Sequence, residues 1–217
     1  MENNIYEAQY DITKKSKLRK FYESNKILIY LVIFVLIILF IGSNYYLINK
    51  NKKRVLLSEN YIQAKIYLES GKEVEALDIL QNVIFANDST YSTLSFFMIL
   101  NQNLIKDHNE VTVLFDHLLE NNKFDKEIKN LLIFKKSLYN SNHVNESELL
   151  KELKPLLSKD SLWKAHALLL LGDYFMSKRE HLKAREFYMQ ILSINNLQKD
   201  LYDHSKLQLA FISNDQK

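Results

Sequence analysis

Six histidines, twenty-six carboxylates and thirteen tyrosines are the residues best equipped for chemistry in this chain. Metal ligation from a helix needs histidines three or four residues apart, so that both imidazoles share a face. His108, His117, His143, His166, His181 and His204 show no such spacing and read as solvent-facing or turn residues. Cysteine is absent, which excludes disulfides and thiolate metal sites. There is no glycine-rich phosphate loop, nucleophile elbow or His-Glu zincin motif. The carboxylates alternate with lysines as on solvated helix faces. No catalytic, cofactor-binding or metal-binding residue is therefore assigned, and an enzyme assembled from dispersed acids and histidines ranks last among the functional readings. Asn87-Asp88-Ser89 and Asn145-Glu146-Ser147 match a glycosylation sequon, a pattern short enough to arise by chance.

The remaining chemistry is recognition, and it depends on what positions the side chains. Three glycines and one proline in 217 residues leave few turn formers, so the composition predicts an all-α protein with short polar connections. Charge divides unevenly. Residues 1–54 hold ten Lys/Arg against four Asp/Glu, and residues 55–217 hold nineteen against twenty-two. The mildly acidic larger part argues against a nucleic-acid partner.

Residues 27–48 predict a single transmembrane helix. From Ile27 to Ile41 the Tyr30 hydroxyl is the one polar side-chain group, and the stretch continues past Gly42, Ser43 and Asn44 to Ile48. As a helix, 22 residues span roughly 33 Å, the thickness of a bilayer's hydrocarbon core. Tyr45 and Tyr46 fall where an interfacial aromatic belt belongs. Gly42-Ser43-Asn44 followed by two tyrosines is a poor cleavage site, so a retained anchor is expected rather than a signal peptide. Six basic residues before the span against four after it favour a cytoplasmic N-terminus. The domain boundaries that follow are a basic tail over 1–26, the span over 27–48, a basic juxtamembrane linker over 49–57 and a repeat domain over 58–213.

The repeats appear as four stripes at i, i+4, i+7: Ala76-Leu80-Val83, Val111-Phe115-Leu118, Leu149-Leu153-Leu156 and Ala184-Tyr188-Ile191. Their starts lie 35, 38 and 35 residues apart, close to the 34-residue tetratricopeptide period of helix–turn–helix units. Ala64 and Tyr67 precede Ala76 by the same intervals as Gly172 and Phe175 precede Ala184. Small residues at 64, 76, 172 and 184 predict close approach within a pair, and large ones at 67, 80, 175 and 188 predict filling between pairs. Gly71-Lys72 predicts a left-handed helix C-cap. The middle is degenerate: Ile99 and Val111 stand where small residues are expected, the helix over roughly 125–140 aligns only with a lengthened loop, and Pro155 bends or ends the helix begun near Asn145. Leu201 to Ile212 predicts a cap over the last repeat. The fold expected is one transmembrane helix followed by a tetratricopeptide-like superhelix with a C-terminal capping helix. By register from Ala64 and Gly172, its concave face carries Tyr61, Lys65, Leu68, His166, Leu169, Asp173 and Met176. Phe96 joins them if Ile99 marks the equivalent place. These are the candidate partner-binding residues.

This order of parts resembles the YfgM-type ancillary subunits of the bacterial Sec translocon. The most similar run is Leu153-Lys154-Pro155-Leu156-Leu157, Trp163, Gly172-Asp173-Tyr174, Ala184-Arg185-Glu186-Phe187-Tyr188 and Ile191-Leu192, with Leu18-Arg19-Lys20-Phe21-Tyr22 before the span. The resemblance implies a single-pass protein of the bacterial inner membrane with its C-terminal domain in the periplasm. It also implies association with the translocon, periplasmic chaperones and exported chains, and no cofactor. The alternative is a cytoplasm-facing adaptor or assembly factor.

Overall fold

The computed structural model describes residues 17–159 and 161–215, and every regular element among them is helical. In chain order these are α1 (Lys17–Glu69), α2 (Glu73–Phe85), α3 (Tyr91–Asn101), α4 (His108–Asn121), α5 (Lys126–Asn140), α6 (Glu146–Leu153), a 3-10 turn over Lys154–Leu157, α7 (Lys164–Ser177), α8 (His181–Leu192) and α9 (Lys199–Asp215). The chain divides into two compact units, Met1–Leu56 and Leu57–Lys217. Residues 1–16 of the basic tail lie outside the described residues.

The first unit is the greater part of α1. Residues 27–48 are exposed along their length apart from a half-buried Ile29, so this is not the buried core helix of a soluble domain. The helix is long and apolar enough to cross a membrane. Its departure from helical dihedrals lies at Asn25, whose side-chain amide donates to the Phe21 carbonyl at 3.1 Å. The segment expected as a linker, 49–57, is helical throughout: nothing in Asn49-Lys50-Asn51-Lys52-Lys53-Arg54-Val55 breaks a helix, since it holds neither glycine nor proline.

In the second unit all twelve stripe positions are buried, at most 2% exposed. They lie on α2, α4, α6 with its 3-10 turn, and α8. Pro155 does end α6, but the tighter 3-10 turn it starts still carries Leu156 into the core. Two apolar clusters result. One joins Ala64 of α1 with Leu80, Phe96, Ile99 and Phe115; the other joins Leu149, Leu153, Leu171, Phe175 and Tyr188, and Ile212 of α9.

Three first-helix ends share one geometry. Gly71, Asn103 and Arg179 have φ of 74°, 52° and 61°. In each case that residue's N–H bonds back to the carbonyl three before it, and the next N–H to the carbonyl five before it: Lys72 to Tyr67, Leu104 to Ile99 and Glu180 to Phe175, at 2.9–3.0 Å. These are the paired bonds of a Schellman cap. They align Ile99 with Tyr67 and Phe175, not with Ala64 and Gly172. The residue aligned with Ala64 and Gly172 is Phe96. The sequence register was displaced by three residues because the connection from Asn103 to α4 is longer than its counterparts after Gly71 and Arg179.

Phe96 is accordingly fully buried, its ring edge-on to Phe115 with centroids 4.4 Å apart. That corrects its assignment to an exposed partner-binding face. A second correction concerns Tyr188, expected between pairs. It packs within its own pair, over Gly172, whose missing Cβ would lie 2.6 Å from Tyr188 Cε1. Helix α9 packs on α8 and α7 through Leu201, Ser205 and Ile212.

Candidate functional site

The residues predicted to recognise partners fall on two helices over different cores. On α1, Tyr61 is half-buried with its ring 6.4 Å from that of Tyr91, Leu68 is half-buried, and Lys65 is exposed 4.0 Å from Glu69. On α7, Leu169 and Met176 are half-buried against the second cluster. His166 lies between Phe134 and Trp163, centroids 5.9 and 5.5 Å away, and burial holds its imidazole below the usual histidine range. Asp173 is engaged internally: it accepts the Tyr188 hydroxyl at 2.7 Å and lies 3.1 Å from His204 Nε2 of α9. Burial, and then that hydrogen bond, raise the Tyr188 hydroxyl above the ordinary tyrosine range. Seven of the eight residues thus retain some exposure, Lys65 most of all, while Phe96 has none.

A polar site the sequence did not reveal lies elsewhere, between α4, α5 and α6. One face of α5 buries Asn130, Ser137 and Asn140 where an apolar stripe would ordinarily run. Asn140 joins its neighbours: Thr112 Oγ1 of α4 donates to its Oδ1 at 3.0 Å, and its Nδ2 donates to Glu152 Oε1 of α6 at 2.8 Å. Lys136, one turn earlier, bonds Asp116 of α4 and lies 3.9 Å from Glu152. Two side chains of α5 therefore clamp α4 to α6. The Lys136 and Glu152 side chains are only 16% and 20% exposed, so removing Lys136 leaves the Glu152 carboxylate without its cation, whereas Lys136 keeps Asp116 when Glu152 is removed.

The clamp borders a cleft of about 740 Å3, also lined by His108, Asn109, His143, Glu148 and Lys151. Here the fold brings together two histidines that the spacing kept apart. His108, at the start of α4, stacks on His143 of the α5–α6 turn with centroids 3.8 Å apart, and on Tyr139 at 4.8 Å. Caps place both rings: Asp107 accepts from the Asn109 N–H at 2.7 Å, and Asn145 forms a reciprocal capping box with Glu148. His143 is the exposed turn histidine expected, whereas His108 is half-buried in the first turn of α4. The signal in the sequence was the run Asn130, Ser137, Asn140 at interior spacing on a helix otherwise apolar on that face. Among the described residues no three His, Asp or Glu side chains converge as a metal site.

Burial, and then the neighbouring His143 ring, hold His108 below the usual histidine range against the opposing pull of Asp107 and Glu152. A depressed histidine binds its proton more weakly folded than unfolded, so stability falls as pH drops through about 6.5 and below. His166 contributes in the same direction. Thermal melts of the full chain in neutral detergent should therefore fall by a few degrees between pH 7.5 and pH 5. His108→Gln with His166→Gln should flatten most of that slope. An unchanged slope in the double variant would assign the pH dependence elsewhere.

Compared with family models, curated proteins and solved structures, the chain matches none. The geometry of the described residues defines a class: all-helical, with one helix among them long and apolar enough to span a membrane, and a helical unit with two apolar cores joined by a polar seam.

Proposed function

We propose that this chain is a non-enzymatic, membrane-anchored interaction module whose helical unit is tetratricopeptide-like and contacts partner proteins. The observation that carries the reading is the burial of the same i, i+4, i+7 triplet on α2, α4, α6 with its 3-10 turn, and α8, spaced at near-repeat intervals. The shared Schellman caps at Gly71, Asn103 and Arg179 support it, because they set equivalent turns at equivalent places. Stacked helix pairs leave a continuous face of first-helix side chains for a partner. Anchoring confines that face to the membrane surface, where weak contacts become effective through raised local concentration.

The particular role proposed is that of a YfgM-type ancillary subunit: the C-terminal domain on the outer side of a bacterial inner membrane, beside the translocon and periplasmic chaperones, facing newly exported chains. This rests on the resemblance stated above. Tyr61→Ala with Met176→Ala tests the face. Both side chains are partly exposed, so helicity should persist, while recovery of proteins photo-crosslinked to the full chain in membranes should fall several-fold. Unchanged recovery would move association to the membrane helix or another surface. Labelling an engineered cysteine at Ser58 from the outer side of intact cells tests the topology.

A further inference from the structure

Just past the apolar stretch, α1 carries Lys50, Lys52, Lys53 and Arg54, all exposed. Between Glu23 and Glu59 the chain has no carboxylate, while it carries five Lys/Arg, four of them directly after the apolar stretch. The helix is regular here, its departure from helical dihedrals lying upstream at Asn25. At about 1.5 Å per residue the four cations sit roughly 3 to 9 Å beyond Ile48. The polar layer outside a bilayer's hydrocarbon core is about 5–8 Å deep on each side, so that is phosphate depth. Tyr45 and Tyr46, 68% and 66% exposed, fall at the boundary just before it.

Direction around the helix separates the possible partners. At about 100° per residue Lys50, Lys53 and Arg54 fall within about 100° of arc and Lys52 lies across the helix from them, so the four together span about 200°. One acidic groove on a protein would meet cations gathered on a single face. A lipid annulus meets the helix from all sides. We propose that Lys50, Lys52, Lys53 and Arg54 form a collar that binds the phosphates of anionic phospholipids in the leaflet where the C-terminal end of the span emerges. The lysines act as point charges, and Arg54 can take two phosphate oxygens at once. The proposal rests on the reading of α1 as a membrane span.

The test uses the full chain in phosphatidylcholine vesicles with spin-labelled phosphatidylglycerol or spin-labelled phosphatidylcholine, reading the motionally restricted fraction by electron spin resonance. The anionic label should associate at least about three-fold more strongly at low salt, falling towards parity near 0.5 M salt as the charges are screened. K50Q/K52Q/K53Q/R54Q should lose most of that preference, whereas K178Q/K206Q should keep it. Equal association of the two labels, or a preference that survives the quadruple substitution, overturns the collar. A missing restricted component for both labels overturns the span itself and the collar with it. An acidic protein captured by the four cations in lipid that shows no headgroup preference points to a protein partner instead.

Discussion

Gly172→Leu should destabilise the helical unit by about 3 kcal/mol or more, and Gly172→Ala by about 1–3 kcal/mol, the range of overpacked cores. An alanine Cβ here would stand 2.6 Å from Tyr188 Cε1 and 3.0 Å from both Cδ1 and Cζ, so the ring must move. It has little freedom to do so. Tyr188 is fully buried, and its hydroxyl is held by Asp173 at 2.7 Å. Replacing a helical glycine with alanine ordinarily gains up to about 1 kcal/mol in propensity, so a net loss in Gly172→Ala would isolate the steric effect. Melts of the full chain in neutral detergent measure it. Tyr188→Leu combined with Gly172→Ala should cost less than the sum of the two changes, because the shorter side chain vacates the space the new methyl enters. A Gly172→Leu chain that melts within a degree of the parent would show that α7 and α8 do not meet at Gly172 and Tyr188.

How much was legible follows from the kind of signal each feature left. The apolar stretch from Ile27 to Ile48 needs no partner to be recognised, since length and composition suffice. The stripes at 76, 111, 149 and 184 were equally plain, because the helical period marks a core face wherever the helix packs. Gly71 announced its left-handed conformation; Asn103 and Arg179 adopt the same one without a glycine to show it, which hid the true register of α3. The polar seam was less accessible still. Thr112, Asn140 and Glu152 belong to three helices, and only tertiary packing makes them neighbours. The stacking of His108 on His143 has the same origin: a turn and a helix start, each set by its own cap, meet across the cleft.

The register of α3 yields the sharpest remaining test. Phe96→Ala should cost about 3–5 kcal/mol, as removal of a fully buried aromatic side chain from a packed core does. Thr93, three residues earlier and half-buried, is the residue the caps align with Tyr61, and Thr93→Ala should be close to neutral for stability. The contrast follows from how the two halves of the unit solve one problem. At the position shared by Ala64, Phe96 and Gly172, the α7–α8 pair closes up and lets the Tyr188 ring lie over bare backbone. Helix α3 instead fills that position with its own ring, edge-on to Phe115 at 4.4 Å. Phe96→Leu and Phe115→Leu, singly and together, should reveal a coupling of about 0.5–1.5 kcal/mol from that ring pair. Two results would reverse the alignment. If Phe96→Ala leaves melting intact but reduces partner recovery, Phe96 belongs to an exposed face and the cap-based register fails. If Thr93→Ala is as damaging as Phe96→Ala, α3 is rotated about its axis, and the residues it offers a partner must be drawn from the other side of the helix.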